Sequence, residues 1–442
     1  MEPTTVTALP QAASEAATLG ERVRALRRAR GLTQSALAGQ RFTKEYVSQI
    51  ERGKTRPTSQ TLAWLADRLG VDAQFLETGV PAGERLRADS VIAQAEAAIE
   101  TNEYGDAAAL LAGLATPTPE LELRSLLAGS WARMYLGEIR EALAMAERAR
   151  ALAEGPGFGA LDRAEALYRI GCCRYKLSSI SSALAIYSEA LTLAESSGLP
   201  CDRLRSHLLE WRSRCYRRQR DFEAAGEDIE RALELAQGLD DTRTVAHVYF
   251  QASLVAERQG QWVRARSYAE RAKAIYEEQA DRQSVGRMLN NLGGLTFLLG
   301  KPDEAVEHLK SAFSHALDVG STADAAQAIS SLAQIHLRTG RVELAEEQAR
   351  QALELLDGRV DFLDEIGNAQ LVLGRALLEQ GRLDDAGNAF ADAESSFDQL
   401  GSGSHRAAVW IARGDLATAR GDDRTAARLY RRAAETLQDF RF

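Results

Sequence analysis

Residues 300–312 read Gly300-Lys301-Pro302-Asp303-Glu304-Ala305-Val306-Glu307-His308-Leu309-Lys310-Ser311-Ala312. A Gly stands five residues before one Ala, and a second Ala follows seven residues later. The skeleton recurs as Gly137…Ala142…Ala149, Gly260…Ala265…Ala272, Gly340…Ala345…Ala352, Gly381…Ala386…Ala393 and Gly421…Ala426…Ala433. Weaker copies sit on Ala107, Ala183 and Ala225, the first and last with Asn102 and Arg220 in place of the Gly. The nine anchoring alanines are spaced by 35, 41, 42, 40, 40, 40, 41 and 40 residues, and the second small position is Ala in all but one copy, Leu114. With Ala at 76 of 442 residues, chance does not produce this agreement. Seven residues before the turn sits another small residue, as in Gly171 (before Ser178), Ser253, Gly293, Ala333, Gly374 and Gly414. Small residues facing each other let two antiparallel helices approach closely, and the Gly ends the first of them. Each unit is an α-hairpin that cannot bury its apolar face alone, so neighbours stack. The fold class is all-α.

The unit resembles the tetratricopeptide repeat, in a form near 40 residues rather than 34. The resemblance covers residues 88–438, about nine hairpins, and implies an α-solenoid, a right-handed superhelix. A length of 442 residues allows roughly two to four globular units or one such array, and the repeats decide for the array. Composition agrees, because Ala has the best helix propensity and Pro, present nine times, the worst. No stretch approaches the ~18 uninterrupted apolar residues of a membrane span. Met1-Glu2-Pro3-Thr4 has neither the basic nor the apolar region of a secretory signal. Four Cys make no disulfide framework, and Cys172-Cys173 is a vicinal pair rather than C-x-x-C. The expected compartment is a reducing cytoplasm.

A net charge of −9 argues against nucleic acid until it is mapped along the chain. Leu19 to Gly70 holds eleven Lys and Arg against Glu21, Glu45, Glu51 and Asp67, a balance of +7 that leaves −16 elsewhere. The asymmetry indicates a small basic head on an acidic body. Residues 1–18, without apolar period, are expected to be a disordered leader. Five short helices then fit Leu19 to Leu76. Thr33 caps the second, Gln34 to Gln40, Thr43 the third, Lys44 to Arg52, Ser59 the fourth, and Asp72 starts the last. A linker is expected over 79–87 and a short tail over 439–442.

The head resembles the Xre/Cro/C1-type helix-turn-helix of phage repressors, a lambda-repressor-like domain over 19–78. The residues that carry this are Leu19-Gly20-Glu21-Arg22-Val23-Arg24-Ala25-Leu26-Arg27, Gly31-Leu32-Thr33-Gln34-Ser35-Ala36-Leu37-Ala38 and Tyr46-Val47-Ser48-Gln49-Ile50-Glu51-Arg52-Gly53-Lys54, with Pro57 and Thr61 to Val71. The turn before Thr43 is one residue shorter than the pattern.

On the third helix, Val47 and Ile50 share a core face. Lys44, Glu45, Ser48 and Gln49 share another, whose polar groups can reach base edges in a major groove. Lys donates to guanine O6/N7, Gln pairs with adenine, and Glu accepts from cytosine N4. The resemblance places Gln34 against a phosphate and pairs Arg27 with Glu51 inside the domain. Thr33, Arg41, Thr43, Lys54 and Arg56 are further candidates for backbone contacts, which fix register without reading sequence. Double-stranded DNA is therefore the expected partner. A head reading half a turn binds weakly alone, so a homodimer on an inverted-repeat operator is expected.

In tetratricopeptide arrays the first helix of each hairpin lines the concave groove. That register places His207, Glu210, Arg214, Arg217 and Arg218 there, then His247, Phe250 and Arg258. Arg287, Asn290, Asn291 and Phe297 follow, then Gln327, Gln334 and Arg338, and last Asn368 and Arg375. Amide side chains can pair with an extended peptide's backbone, and Arg can hold a carboxylate bidentately. The candidate ligand contacts are His207, Arg214, Arg218, His247, Arg287, Asn290, Asn291, Gln334, Arg338 and Arg375. Met288-Leu289-Asn290-Asn291-Leu292 resembles the Leu-Asn-Asn-Leu stretch of long tetratricopeptide repeats, whose Asn contacts bound peptide. The bland alternative for Asn291 is a hydrogen bond to a neighbouring helix, and the run Arg212 to Arg220 could hold acidic helices of adjacent repeats.

H-E-x-x-H, G-x-S-x-G, a P-loop and a strand-to-helix G-x-G-x-x-G are all missing. The six His lack metal spacing, and Cys172, Cys173, Cys201 and Cys215 read as core thiols. Gly155 to Gly159 and Gly401 to Ser404 read as loops between hairpins. No enzyme, metal, cofactor or membrane partner is expected. The architecture resembles the RRNPP group of peptide-pheromone-responsive regulators. It implies a sequence-specific DNA-binding transcriptional regulator whose repeats dimerise and sense a short peptide. The alternative is an interaction scaffold or adaptor recruited to DNA, with no small ligand.

Overall fold

The structure is a computed structural model that describes residues 18–359, 362–399 and 403–438. The expected leader, save Thr18, and the expected tail 439–442 lie outside the described residues. Every regular element among the described residues is helical. The first five are α1 (Leu19–Ala29), α2 (Gln34–Ala38), α3 (Lys44–Glu51), α4 (Ser59–Leu69) and α5 (Ala73–Thr78). Then come α6 (Ala82–Glu100), α7 (Tyr104–Leu111), α8 (Pro119–Tyr135), α9 (Ile139–Ala153), α10 (Ala160–Lys176) and α11 (Ile180–Ser196). The remainder are α12 (Asp202–Arg218), α13 (Phe222–Gln237), α14 (Thr242–Arg258), α15 (Trp262–Glu278), α16 (Arg282–Leu298), α17 (Pro302–Asp318), α18 (Thr322–Arg338), α19 (Val342–Leu355), α20 (Leu363–Glu379), α21 (Leu383–Gln399), α22 (Gly403–Ala419) and α23 (Asp423–Gln438). Among the described residues, eighteen helices run from α6 onward. Two compact units are present, one ending at Ser182 and one beginning at Ala183.

Side-chain caps set the starts of the first five helices, each satisfying a backbone N–H that has no partner inside the helix. Thr18 and Glu21 form a reciprocal capping box at α1, so Thr18 belongs to the head rather than to the leader. Thr33 accepts from Ala36 N at 3.0 Å, Thr43 from Tyr46 N at 3.2 Å and Asp72 from Phe75 N at 2.8 Å. At α4 the cap is Thr58, not the expected Ser59. Thr58 holds the extended backbone a cap requires and accepts from Thr61 N at 3.3 Å, while Ser59 is already helical. Val23, Leu26, Leu37, Val47, Ile50, Leu65, Leu69, Phe75 and Leu76 close the head's core. Each stabilises the fold by roughly 1.5–3 kcal/mol.

The linker is shorter than expected, because α6 begins at Ala82 and only Gly79, Val80 and Pro81 separate it from α5. Arg85, in the first turn of α6, donates to Val80 O and, at 2.8 Å, to Asp72 Oδ1. Those bonds offset the poor helix propensity of Gly83. Gly403 likewise opens α22 rather than lying in a loop, while Gly401 and Ser402 are outside the described residues.

Within each unit the anchoring alanines are where the paired helices meet. All nine are 0–4% exposed, and the eight second-position alanines are 0–2% exposed. Leu114 breaks the pattern because α7 stops at Leu111. The position seven residues before the turn faces the second helix. There Ser130 donates to Ala142 O at 2.9 Å and Ser213 to Ala225 O at 2.7 Å. Where that position is Gly293, a Cβ would lie 2.6 Å from Leu309 Cγ. First helices also pack on first helices, α6 on α8 and α8 on α10 in one unit, α12 on α14 and α16 on α18 in the other.

Candidate DNA-binding face and inner face of the repeats

Burial of Val47 and Ile50 fixes the roll of α3 about its axis. Lys44, Glu45 and Gln49 are then exposed, and Ser48 is half-buried beside them. Thr55 Oγ1 donates to Gln49 Oε1 at 3.1 Å, and Lys54 N donates to Gln49 O at 2.9 Å. The Gln49 amide is thereby oriented, with Nε2 directed away from that bond. Thr33, Arg41, Thr43, Lys54 and Arg56 are all exposed around α2 and α3. Phe42 is wedged against Trp64 and Tyr46, ring centroids 5.0 and 5.2 Å away, so the short turn is pinned, and the exposed Arg41 guanidinium lies 5.8 Å over the Phe42 ring.

Gln34 is placed differently from expectation: its Nε2 donates to Glu51 Oε2 at 2.9 Å. Glu51, its side chain 4% exposed, also accepts from Arg27 Nε at 2.5 Å and Nη2 at 3.1 Å. Burial pushes the Glu51 carboxyl up, but the bonds from Arg27 and Gln34 outweigh it and hold the group below the usual carboxylate range. A buried carboxylate needs more donors than one guanidinium fork supplies, which is why Gln34 turns inward. Arg22, part of the helix-turn-helix pattern but given no role by it, is a structural residue. It is buried, donates to Leu76 O at 2.9 Å, and burial lowers its pKa. Arg30 and Arg68 likewise donate to Gly70 O and Ala36 O. Arg24, Arg28, Arg41, Lys44, Arg52, Lys54 and Arg56 remain exposed.

In the second unit several expected ligand contacts are tied between repeats. Glu210 is fully buried, with Arg214 Nη2 2.5 Å and His247 Nε2 3.5 Å from its Oε1. Burial raises the Glu210 carboxyl, but Arg214, His247 and His207 together bring it down to about 2. Arg214 lies over the Trp211 ring at 4.3 Å, with its Nη2 2.7 Å from His247 Nε2. His207 Nε2 is 3.1 Å from Thr244 Oγ1, and Arg287 donates to Asp324 Oδ1 at 3.0 Å. Asn291 Oδ1 accepts from Ser253 Oγ at 2.8 Å, the neighbouring-helix bond that was the bland alternative. Arg212 holds Asp228 through two bonds of 2.7 Å, within its own hairpin.

The more open part of this face lies on α16 and α18. Gly294 is exposed, and a Cβ there would meet nothing within 4 Å. Asn290 Oδ1 and Ser330 Oγ are buried without a hydrogen-bond partner among the described residues. Gln334 and Arg338 are exposed, with Arg338 over the Phe297 ring at 4.8 Å. Arg218 is exposed and Arg375 half-buried.

Cys172, Cys173 and Cys215 are buried thiols, and burial pushes Cys173 up to about 11 and Cys215 to about 12. Cys201 departs from the expected core position: it is half-buried at the start of α12, its Sγ 3.5 Å from Ala194 O. Among the described residues no helix is long and apolar enough to cross a membrane, and no three His, Cys, Asp or Glu are grouped to hold a metal ion.

Residues 18–77 match a helix-turn-helix domain model, and residues 127–200, 204–278, 284–357 and 371–439 match tetratricopeptide repeat models. No protein of curated function matches the chain significantly in sequence. Among solved structures, the apo form of RapI is similar at TM-score 0.59 and 13% identity, covering 79% of this chain and 97% of its own. The apo quorum sensor NprR from B. thuringiensis is similar at TM-score 0.58 and 12% identity, covering 80% and 99%. A Rap protein complexed with competence and sporulation factor gives TM-score 0.55 and 16% identity over 80% and 99%. At these identities the likeness is one of fold.

Proposed function

We propose that this chain, a helix-turn-helix domain followed by tetratricopeptide repeats, is a sequence-specific DNA-binding transcriptional regulator whose repeats sense a short peptide and bring two copies together on an inverted-repeat operator. The observation that carries the first half is α3. Two buried residues fix its rotation, and Lys44, Glu45, Ser48 and Gln49 line the opposite side, rimmed by exposed Arg41, Lys54 and Arg56. The matched families are regulatory and protein-interaction domains, which supports a regulator rather than an enzyme. For the second half, support comes from Asn290, Ser330, Gln334 and Arg338 around the open surface at Gly294. One structure of similar fold is of a Rap protein complexed with competence and sporulation factor, and another is of a quorum sensor.

The test begins with DNA selected from a random library by the full chain, followed by fluorescence anisotropy. Gln49→Ala is expected to flatten discrimination at one base pair by about 1–3 kcal/mol. Lys54→Ala is expected to weaken every sequence alike, because a phosphate contact carries no sequence information. Equal effects of both variants on all sequences would sink the base-contact assignment. A short peptide that alters operator affinity, with the response lost in Asn290→Ala, supports sensing. DNA binding indifferent to every peptide, with a stable co-purifying protein, favours the scaffold instead.

A further inference from the structure

We propose that Arg169, laid against Trp131 in the first unit, is an anion site that takes the carboxylate of an organic ligand. Its guanidinium lies 4.3 Å over the Trp131 ring and 5.0 Å from the Tyr168 ring. Trp131 is on α8 and Arg169 on α10, two first helices that pack together. Trp131 is steadied in turn by Tyr135, ring centroids 5.2 Å apart, and Tyr168 is buried. The two rings touch each other, centroids 5.7 Å apart, and the cation rests on both rather than sweeping solvent.

What it lacks is an acceptor. The other buried or half-buried arginines of this unit all have one: Arg22 bonds carbonyls, Arg27 has Glu51, Arg85 has Asp72, Arg124 has Asp89 and Glu96, Arg133 has Glu138 and Glu141, and Arg174 has Glu147. Arg169 makes no ion pair among the described residues, although Glu165 stands one helical turn earlier, and its Nε is buried with no hydrogen-bond partner. An unfilled guanidinium inside a body of net negative charge is not explained by packing, because packing alone is served by an apolar residue.

The chain contains its own control. In the second unit Arg214 lies over Trp211 at the same 4.3 Å, and there Glu210 completes the pair. Glu210 stands four residues before Arg214, and Glu165 holds the same place before Arg169 yet makes no ion pair with it. Arg214 is closed by the acid of its own helix and Arg169 is not, so the acid at Arg169 comes with the ligand. One positive charge with uncharged walls balances a carboxylate, whereas a phosphate dianion would leave a surplus. The aromatic faces favour a carboxylate attached to a flat or apolar group.

The experiment titrates the full chain with N-acetyl-phenylalanine, its amide, N-acetyl-aspartate amide and inorganic phosphate, read by calorimetry and by arginine Nε–H resonances. A carboxylate probe is expected to bind at least tenfold more tightly than N-acetyl-phenylalanine amide and to move the Arg169 Nε–H signal. Whichever carboxylate binds tighter identifies the source as an α-carboxylate or an acidic side chain. Arg169→Lys, which keeps the charge and loses the planar fork, is expected to lose at least tenfold in affinity without a change in the melting transition. Equal binding of acid and amide, tighter binding of phosphate, or unaltered affinity in Arg169→Lys each overturns the proposal. So does a tenfold gain in Glu165→Gln, which would show that Glu165 already holds the guanidinium. None of these readouts involves DNA, so failure here and failure of the regulator reading are separate results.

Discussion

Glu51 is the residue on which the head's interior turns, since one buried carboxylate gathers Arg27 from α1 and Gln34 from α2 onto the end of α3. Replacing it with Ala strands the Arg27 cation in a side-chain environment 11% exposed, and breaking such a pair typically costs about 3 kcal/mol or more. We expect Glu51→Ala to lower the head's urea midpoint accordingly. The sign with pH follows from its depressed folded pKa. The stabilisation is complete above the unfolded carboxylate pKa and is lost as pH falls through the folded one. Wild-type stability should therefore decline below about pH 4.3, the ordinary Glu value, more steeply than that of Glu51→Ala. The pairing of Arg27 with Glu51 was readable because family resemblance carries it. Gln34 was not, because the need of a buried carboxylate for a further donor leaves no mark on the local sequence. The same holds for Arg22, whose carbonyl partners lie on α5.

Among the elements, α16 offers a paired test in two adjacent glycines. A Cβ at Gly293 would lie 2.6 Å from Leu309 Cγ, whereas one at Gly294 meets nothing within 4 Å. Gly293→Ala should therefore destabilise the second unit by about 1–3 kcal/mol through overpacking. Gly294→Ala should stabilise it by up to ~1 kcal/mol through helix propensity. Opposite shifts in thermal unfolding are the expected outcome, and equal shifts would refute the hairpin register. Arg220 holds φ at +64°, the left-handed turn that Gly260 and Gly300 hold at +73° and +80°. Arg220→Gly should gain about 1 kcal/mol in a urea titration, since a Cβ is disfavoured there. The repeats were legible because close helix approach demands small residues at fixed separations, and every 40-residue period repeats the demand. Boundaries were less so. Nothing local distinguishes Thr58 from Ser59 as a cap, and the helix start at Ala82 depends on Arg85 reaching Asp72.

At the scale of the whole chain, charge is segregated, and the structure shows how much of the basic surplus faces outward. Arg22, Arg27, Arg30 and Arg68 are committed to partners inside the head, so phosphate binding falls to the exposed cations around α2 and α3. If Arg41, Lys44, Lys54 and Arg56 each displace one counterion, a single head gives a slope of log affinity against log salt of about −4. Two heads on an inverted repeat give about −7. Between 50 and 200 mM salt the first loses affinity by about a hundredfold and the second by about ten-thousandfold. Anisotropy titrations of the full chain on a half-site and on the complete inverted repeat separate the cases. A slope on the complete repeat near double that on the half-site is the expected result. Equal slopes would mean that only one head engages DNA, and the proposal of a paired reader would then fail even with Gln49 correctly placed. The acidic remainder makes the measurement sharper, because its repulsion from the duplex keeps non-specific contacts by the repeats out of the slope.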